Sequence, residues 1–544
     1  MEKKYLLLLI IVILAAILRF WQLGIIPTGV THDELGYIYN SYSIAKTGRN
    51  VFGEFLPFLT WMNQGGWPFL PVPIYFSIPF FWLFDLSATV GRLPSAILGV
   101  ADVLLIYILI KQIFNKTSLA LLSAFFLAIS PWHLHFSRSA YDPNFALFFY
   151  LLGTVIFISE IKSKRMPIFS AVFFWLAIFS YRAMNIIFFP LVIILIWYGI
   201  VALKAKYKQL IILLLGVFVV VVSLVFAITT NGKRYISEAS IVNQAKMQEE
   251  LDNQIRDAQG PLFLRRIFLN KPVYIVSKLR ENYVKAYSPE FLFLYTDPSK
   301  IYSIWSRGRI YFIDIIFIVL GTVYLYAINK KGAFFITSLL LIGGLPGMIG
   351  GTPYSARNLL LSAVFPVFSA GGVFFLLNNP FLIKFKTIII ATVILTYVYL
   401  LGSYLFDYYG RYALYGGEAW VKSLKDLSLL ITENKKTHDK IIVGQTSFGD
   451  LIQYAFYTKI KPSDVQNAWQ KRQADIGESF SIDNVIFTTR CLDNKTGGLP
   501  ALREYKSVLY VVRDDCAKMA TPSALIKDYP GNTIWKIYNI GHLL

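Results

Sequence analysis

Two carboxylates stand together in Thr31-His32-Asp33-Glu34, directly before Leu35-Gly36-Tyr37. A carboxylate at the start of a helix can serve as a general base, taking a proton from a hydroxyl within hydrogen-bond reach. The structural alternative is that Thr31 and Glu34 form a capping box, since acids favour a helix N-terminus. That accounts for Glu34 and only in part for Asp33. A second stretch, Ser130 to Asn144, holds His133, His135, Arg138 and Asp142. Asp142 before Pro143 reads as a helix start, an N-cap followed by a first-turn proline. Arg138 has no such local duty; its guanidinium either snorkels to lipid phosphate or grips a substrate phosphate through paired N–H groups. Arg92, Arg182 and Arg357 also fall at helix ends, each an interface anchor when taken alone. As a set with Arg138 they suit an anion. His133 and His135, two residues apart, would share a metal only on an extended segment. A divalent metal is left open, and no other cofactor is indicated. Asp102 lies within an apolar run, where it requires a partner or a water-filled gap inside the bundle.

The elements that must position these groups are long apolar blocks. The chain is 56% hydrophobic and 16% aromatic, with only 15% charged residues. Its blocks fall at 5–26, 88–110, 117–131, 143–160, 167–182, 184–202, 208–228, 309–328, 332–350, 357–377 and 386–406. Most are about long enough to cross a hydrocarbon core of roughly 30 Å. The loops after alternate blocks contain Lys111 and Lys116; Lys162, Lys164 and Arg165; Lys204, Lys206 and Lys208; Lys330 and Lys331; Lys384 and Lys386. This is the positive-inside pattern, and it places the N-terminus in the cytoplasm. The first block has no small-residue cleavage site and is read as a retained helix, with Arg19, Phe20 and Trp21 as its interfacial end. Much of the net charge of +20 sits in these short loops; the rest, largely in one long loop and the C-terminal part, faces anionic lipid head groups or phosphate-bearing substrates, because no basic stripe or motif points to nucleic acid.

The expected architecture is a polytopic α-helical membrane protein of about eleven transmembrane helices, followed by a C-terminal soluble α/β domain. Residues 1–406 form the membrane part, with long outer loops at 27–87 and 229–308; residues 407–544 form the extracytoplasmic domain. Prolines 71, 73 and 79 predict that the apolar stretch 69–84 lies in or re-enters the interface rather than crossing. In the C-terminal part, Gly417–Asn434 has helical spacing, and Lys440–Val443, Val485–Thr488, Ser507–Val512 and Thr533–Tyr538 read as strands. Cys491 and Cys516 lie there with no metal or redox spacing, so a disulfide and two separate thiols are both open.

Walker A, dinucleotide-binding and nucleophile-elbow motifs are absent, so an activated substrate must supply the energy of any reaction. The Asp33-Glu34 pair after the first helix resembles the integral-membrane glycosyltransferases of the GT-C superfamily, of the protein O-mannosyltransferase and aminoarabinose transferase type. Arg92-Leu93-Pro94-Ser95-Ala96-Ile97-Leu98-Gly99, Phe136-Ser137-Arg138 through Asp142, Tyr287-Ser288-Pro289-Glu290-Phe291-Leu292-Phe293 and Arg357 are similar to further stretches of that group, in the same order. The resemblance implies a polyprenyl-phosphate-linked sugar as donor and inverting transfer to a hydroxyl of a protein, lipid or glycan. It implies Asp33 as base, Glu34 as a positioning group, Arg138 on the lipid phosphate and Asp142 as a second acidic member. The sequence departs from the aminoarabinose transferases at Gly65-Gly66-Trp67-Pro68, where those carry an acidic-Lys-Pro-Pro run, which leaves acceptor and metal undefined. Two other readings are a transporter or flippase of lipid-linked saccharide and a non-catalytic saccharide binder. A transporter usually shows inverted repeats and mid-membrane polar groups, whereas here the polar candidates gather at one face.

Overall fold

The computed structural model describes residues 3–60, 68–231, 244–294, 297, 299–304, 307–349, 355–473, 478–491, 505–516 and 521–541. Its helices are α1 (Lys3–Phe20), α2 (His32–Thr47), α3 (Pro71–Leu83), α4 (Ala88–Phe114), α5 (Thr117–Ala128), α6 (Pro131–Ser137), α7 (Asp142–Lys162), α8 (Ile168–Ile178), α9 (Phe188–Val201) and α10 (Tyr207–Asn231). They continue as α11 (Gln244–Asp257), α12 (Leu262–Phe268), α13 (Lys271–Lys285), α14 (Asp314–Ile328), α15 (Lys330–Gly343), α16 (Leu345–Ile349), α17 (Leu360–Asn378) and α18 (Lys386–Phe406). The last four are α19 (Tyr412–Tyr415), α20 (Lys422–Asn434), α21 (Phe448–Thr458) and α22 (Pro462–Gln470).

A helix occupies each of the eleven apolar blocks. Among the described residues, seven helices are long and apolar enough to cross a membrane, or eight if the bent pair α5–α6 is one span. The other three blocks differ for visible reasons. α1 carries Lys3, Lys4 and Arg19 within 18 residues, and α8 and α14 have only 11 and 15 residues. The 61° bend between α5 and α6 follows from Ser130-Pro131. Proline opens a new helix there, and the Ser130 hydroxyl caps it by accepting from His133 N. α14 and α17 pack closely because Gly321 and Gly372 face each other's backbones; a Cβ on either would collide with the Phe368 or Phe317 carbonyl. α3, the stretch expected to lie in or re-enter the interface, is one helix of 13 residues with Pro79 inside it. At 1.5 Å per residue it is about 20 Å long, too short to cross.

The chain divides into two compact units. The first comprises Met1–Trp21, Ser95–Arg138 and Asp142–Tyr404; the second comprises Gln22–Pro94, Ser139–Tyr141 and Leu405–Leu544. One change of unit falls at Tyr404–Leu405. The segment 27–87, expected as a loop of the membrane part, belongs to the second unit and shares its core. Leu35, Ile38, Tyr39 and Ile44 of α2 are buried with Leu451, Ile452, Val465 and Phe480. Gln453 Nε2 donates to Val30 O at 2.6 Å, and Gln466 Nε2 reaches Ser43 Oγ at 3.1 Å and Asn50 O at 3.0 Å.

The second unit contains a six-stranded sheet: β1 (Lys440–Val443), β2 (Ser479–Ile482), β3 (Val485–Thr488), β4 (Ser507–Arg513), β5 (Ala524–Lys527) and β6 (Thr533–Gly541), in the order β2-β3-β1-β4-β6-β5. β1 pairs in parallel with β3 and β4, and the remaining pairs are antiparallel. All four expected strands are present. β2 and β5, the two edge strands, were not foreseen; β5 is mostly exposed and offers no buried alternation to read. Cys491 and Cys516 form a disulfide with Cα atoms 5.8 Å apart.

Candidate functional site: two buried charge groups and the residues beside them

In the second unit, Thr31 caps α2 with extended backbone (φ −69°, ψ 163°), and its hydroxyl accepts from Glu34 N at 3.2 Å. Only this half of the expected capping box is observed. The Glu34 carboxylate turns instead to Arg92, with Arg92 Nε to Oε1 at 2.7 Å and Nη2 to Oε2 at 2.9 Å, and it also accepts from Ala140 N at 2.8 Å. A buried guanidinium needs a counter-charge more than a helix start needs a second cap. Arg92 Nη1 donates to Leu23 O at 3.1 Å and Pro27 O at 3.0 Å, and Nη2 to Gly29 O at 2.6 Å. A guanidinium has five N–H groups, and these five bonds use them all. The Trp420 ring lies 5.5 Å from Arg92 Cζ. Both Glu34 and Arg92 are fully buried. Arg92 therefore holds Glu34 and the turn before α2, with no donor left over for a phosphate.

Asp33, one residue earlier, is exposed. His32 beside it places Nε2 3.9 Å from Asp450 Oδ1, and Arg513 Nη2 stands 3.8 Å from the same oxygen. Asp450 is fixed by a capping box with Ser447 at the start of α21, its Oδ2 accepting from Ser447 N at 2.7 Å and Oγ at 2.9 Å. Sequence reasoning missed Asp450 and Arg513. The Ser447-x-x-Asp450 spacing after β1 was the available signal. Half-buried Glu418 nearby accepts from Ser423 Oγ at 2.9 Å, and burial pushes its carboxyl above the ordinary range.

In the first unit, Arg138 follows α6 and is buried, with Nη1 donating to Leu18 O at 2.9 Å and Arg19 O at 3.0 Å. Arg19, expected at the interface, is fully buried instead. Its Nη2 meets His133 Nδ1 at 2.8 Å, and His133 Nε2 meets Asp102 Oδ2 at 3.2 Å. Since arginine only donates, Nδ1 must accept, so Nε2 carries the proton and donates to Asp102. Asp102 thus has a partner within the bundle. A Cβ at Gly99 would collide with Ser137 and stand 3.1 Å from Arg19 Nε, so this contact requires glycine. His135 points elsewhere, donating through Nε2 to Ile301 O at 2.7 Å. The segment is helical rather than extended, so the two histidines do not share a site. Among the described residues no three His, Cys, Asp or Glu side chains gather as a metal site.

Asp142 opens α7 and is half-buried; Asn144 ties that turn to α4 through Ser95 O at 2.9 Å. Arg182 begins a 3-10 turn, Arg182–Ile187, which packs on α16, and Gly347 of α16 donates to Asn358 Oδ1 at 2.9 Å. Trp132 Nε1 of α6 donates to Ser355 O at 3.1 Å. The elements carrying Arg138, Arg182 and Arg357 are therefore linked within one unit, whereas Asp33, Glu34 and Arg92 belong to the other. A further buried group was not foreseen: Asp297 Oδ2 accepts from Ser355 N at 2.7 Å and Oγ at 2.6 Å, with Arg309 Nη2 3.4 Å away. Next to it is a small cleft of about 10 Å³, room for about one water, lined by Trp132, His135, Ser303, Arg307, Arg309 and Tyr404. Only a charge beside an apolar run signalled Arg309 in the sequence.

Residues 68–226 match the family described as dolichyl-phosphate-mannose-protein mannosyltransferase. This segment includes Arg92, Arg138, Asp142 and Arg182 and excludes Asp33, Glu34 and Arg357. No curated protein matches the sequence. Among solved structures, the apo oligosaccharyltransferase of Archaeoglobus fulgidus is similar at 13% identity and TM-score 0.49, over 84% of this chain and 64% of its own length. The chain thus spans just under two thirds of that enzyme. ArnT from Cupriavidus metallidurans is similar at 12% identity and TM-score 0.43 in its apo state, over 97% of both chains. Its complex with undecaprenyl phosphate is similar at 11% identity and TM-score 0.42. The GT-C resemblance read from Arg92–Gly99 and Phe136–Asp142 falls inside the matched segment. The Gly65-Gly66-Trp67 departure lies outside the described residues.

Proposed function

We propose that this chain is an inverting glycosyltransferase that moves a sugar from a polyprenyl-phosphate-linked donor to an acceptor hydroxyl at the outer face of the membrane. The observation that carries the reading is the contrast between adjacent acids: Glu34 is locked in a saturated ion pair, while Asp33 is exposed on the first turn of α2. Asp33 takes the proton from the acceptor hydroxyl, whose oxygen attacks the anomeric carbon. The bond from that carbon to the phosphate oxygen breaks, and the lipid phosphate leaves with an added negative charge. Arg138, Arg182 and Arg357 meet that charge with fixed donors, the general logic of stabilising a leaving oxyanion. Arg92 and Glu34 act by holding the turn from which Asp33 projects. Asp142 serves as a second acidic group at the start of α7.

The lysine-rich alternate loops support a cytoplasmic N-terminus and an extracytoplasmic C-terminal domain. The Cys491–Cys516 disulfide agrees with that side, since such bonds persist in oxidising compartments. The test is Asp33→Asn in vesicles containing a polyprenyl-phosphate sugar, following formation of the new glycosidic bond. Activity equal to the unmodified enzyme removes Asp33 as the base. Movement of saccharide across the vesicle membrane without bond formation replaces the reading with a transporter.

A further inference from the structure

The segment between α10 and α14 carries a surface unused by the reaction. α12 has no buried residue, and its Leu262, Phe263, Ile267 and Phe268 are 48%, 64%, 56% and 67% exposed. α13 continues the surface. Val273, Val276, Arg280 and Val284 recur at spacings that keep them on one helix face, and all four are exposed. The other face is engaged by α11. Tyr274 donates to Glu250 Oε2 at 2.5 Å, Lys278 stands 3.6 Å from the same oxygen, and Met247 and Leu251 of α11 are buried. The apolar face is thus the one α11 leaves open.

The position of α13 decides what covers that face. Asn282 Nδ2 donates to Met348 O at 3.3 Å, Tyr283 OH to Leu341 O at 2.9 Å and Tyr287 OH to Leu340 O at 2.7 Å, and Tyr287 OH accepts from Gly344 N at 3.0 Å. These partners run from Leu340 to Met348, along the C-terminal half of the apolar span Lys330–Ile349, so α13 is moored toward the end of a membrane helix that is away from Lys330 and Lys331. Arg266, Lys271 and Arg280, all exposed, accompany the apolar side chains. Aromatic and aliphatic groups mixed with cations at that depth are the composition of an in-plane interfacial helix on anionic lipid. A second copy of this chain would bring the same cations to the contact and repel them.

We propose that α12 and the open face of α13 dock on the bilayer surface, with Phe263, Ile267, Phe268 and Val276 at the acyl boundary and Arg266, Lys271 and Arg280 on anionic head-group phosphates. The test uses the full chain in nanodiscs, labelled with an environment-sensitive fluorophore at Phe263→Cys and, as control, at Asp257→Cys on α11. Lipids spin-labelled at a shallow acyl position should quench the label at 263 at least about threefold more than that at 257. Raising phosphatidylglycerol from none to about a third of the lipid should strengthen the quenching, and Arg266→Glu with Lys271→Glu should abolish that dependence at an unchanged melting temperature. Equal quenching at the two positions overturns the proposal. So does a blue shift at 263 that vanishes when each disc holds a single copy, which assigns the face to self-association. An effect of lipid charge that survives the double substitution removes the basic residues from the contact.

Discussion

The two buried charge groups, Glu34–Arg92 in one unit and Asp102–His133–Arg19 in the other, differ in how completely they are satisfied. Arg92 has an acceptor for each N–H group, and both Glu34 oxygens are bonded. In the second group Arg19 Nε and Asp102 Oδ1 are buried without a hydrogen bond. The difference follows from the backbone around each. Arg92 reaches the turn Leu23–Gly29, whose carbonyls are not committed to a helix. Arg19 sits among helices whose carbonyls are already used, and finds only those of Ala15 and the α5 end at Leu127 and Ala128. A saturated pair fixes geometry without a free donor; under the proposed function, the chemistry falls to its exposed neighbour Asp33.

The largest expected effect sharpens this contrast. Asp33→Asn should lower sugar transfer by about 10²–10⁴-fold, the usual contribution of a general base, while thermal unfolding in detergent stays as in the parent because the side chain is exposed. An equal loss of stability and activity would merge Asp33 with its structural neighbour. Arg92→Leu should do the reverse, destabilising by about 3–5 kcal/mol because a buried carboxylate loses its partner. Glu34→Leu together with Arg92→Leu should recover much of that in a denaturant or thermal titration; no recovery would mean that the carbonyl contacts of Arg92 dominate. Gly99→Ala probes the less satisfied group. A Cβ there forces Ser137 and Arg19 apart, and overpacking of this kind costs about 1–3 kcal/mol, read as a lowered melting temperature.

The smallest effect concerns Glu418, whose carboxyl is raised by burial despite its Ser423 bonds. A raised folded-state value means the folded protein holds the proton longer than the unfolded chain. Its contribution to stability is therefore present below the ordinary glutamate range and is lost as pH rises through the raised value. Glu418→Gln should flatten that decline in a pH series of melting temperatures. An unchanged slope would show that another group titrates there.

Much of this architecture could be read without coordinates because its signals are local. Each of the eleven apolar blocks became a helix, since the length of an apolar run and the absence of charge are properties of consecutive residues. The four longer or central strands were likewise visible in β-branched runs. The 61° break at Ser130-Pro131 fell where a proline at a helix start requires one. Site residues were recognised by type more readily than by role. Local spacing makes Glu34 half of a capping box, and Arg92 suits an anion only as one of a set of arginines at helix ends.

Sequence by itself determined the membrane architecture, the α/β character of the C-terminal part and the short list of charged residues deserving a reason. Tertiary structure alone decided which of those charges neutralise one another: Glu34 with Arg92, 58 positions apart, and Arg19 with His133 and Asp102. It also decided that 27–87 shares a core with the sheet. The physical reason is that helix and strand patterns arise from neighbours along the chain. The partner of a buried charge is instead chosen by desolvation, which acts on whatever residue the fold brings within about 3 Å.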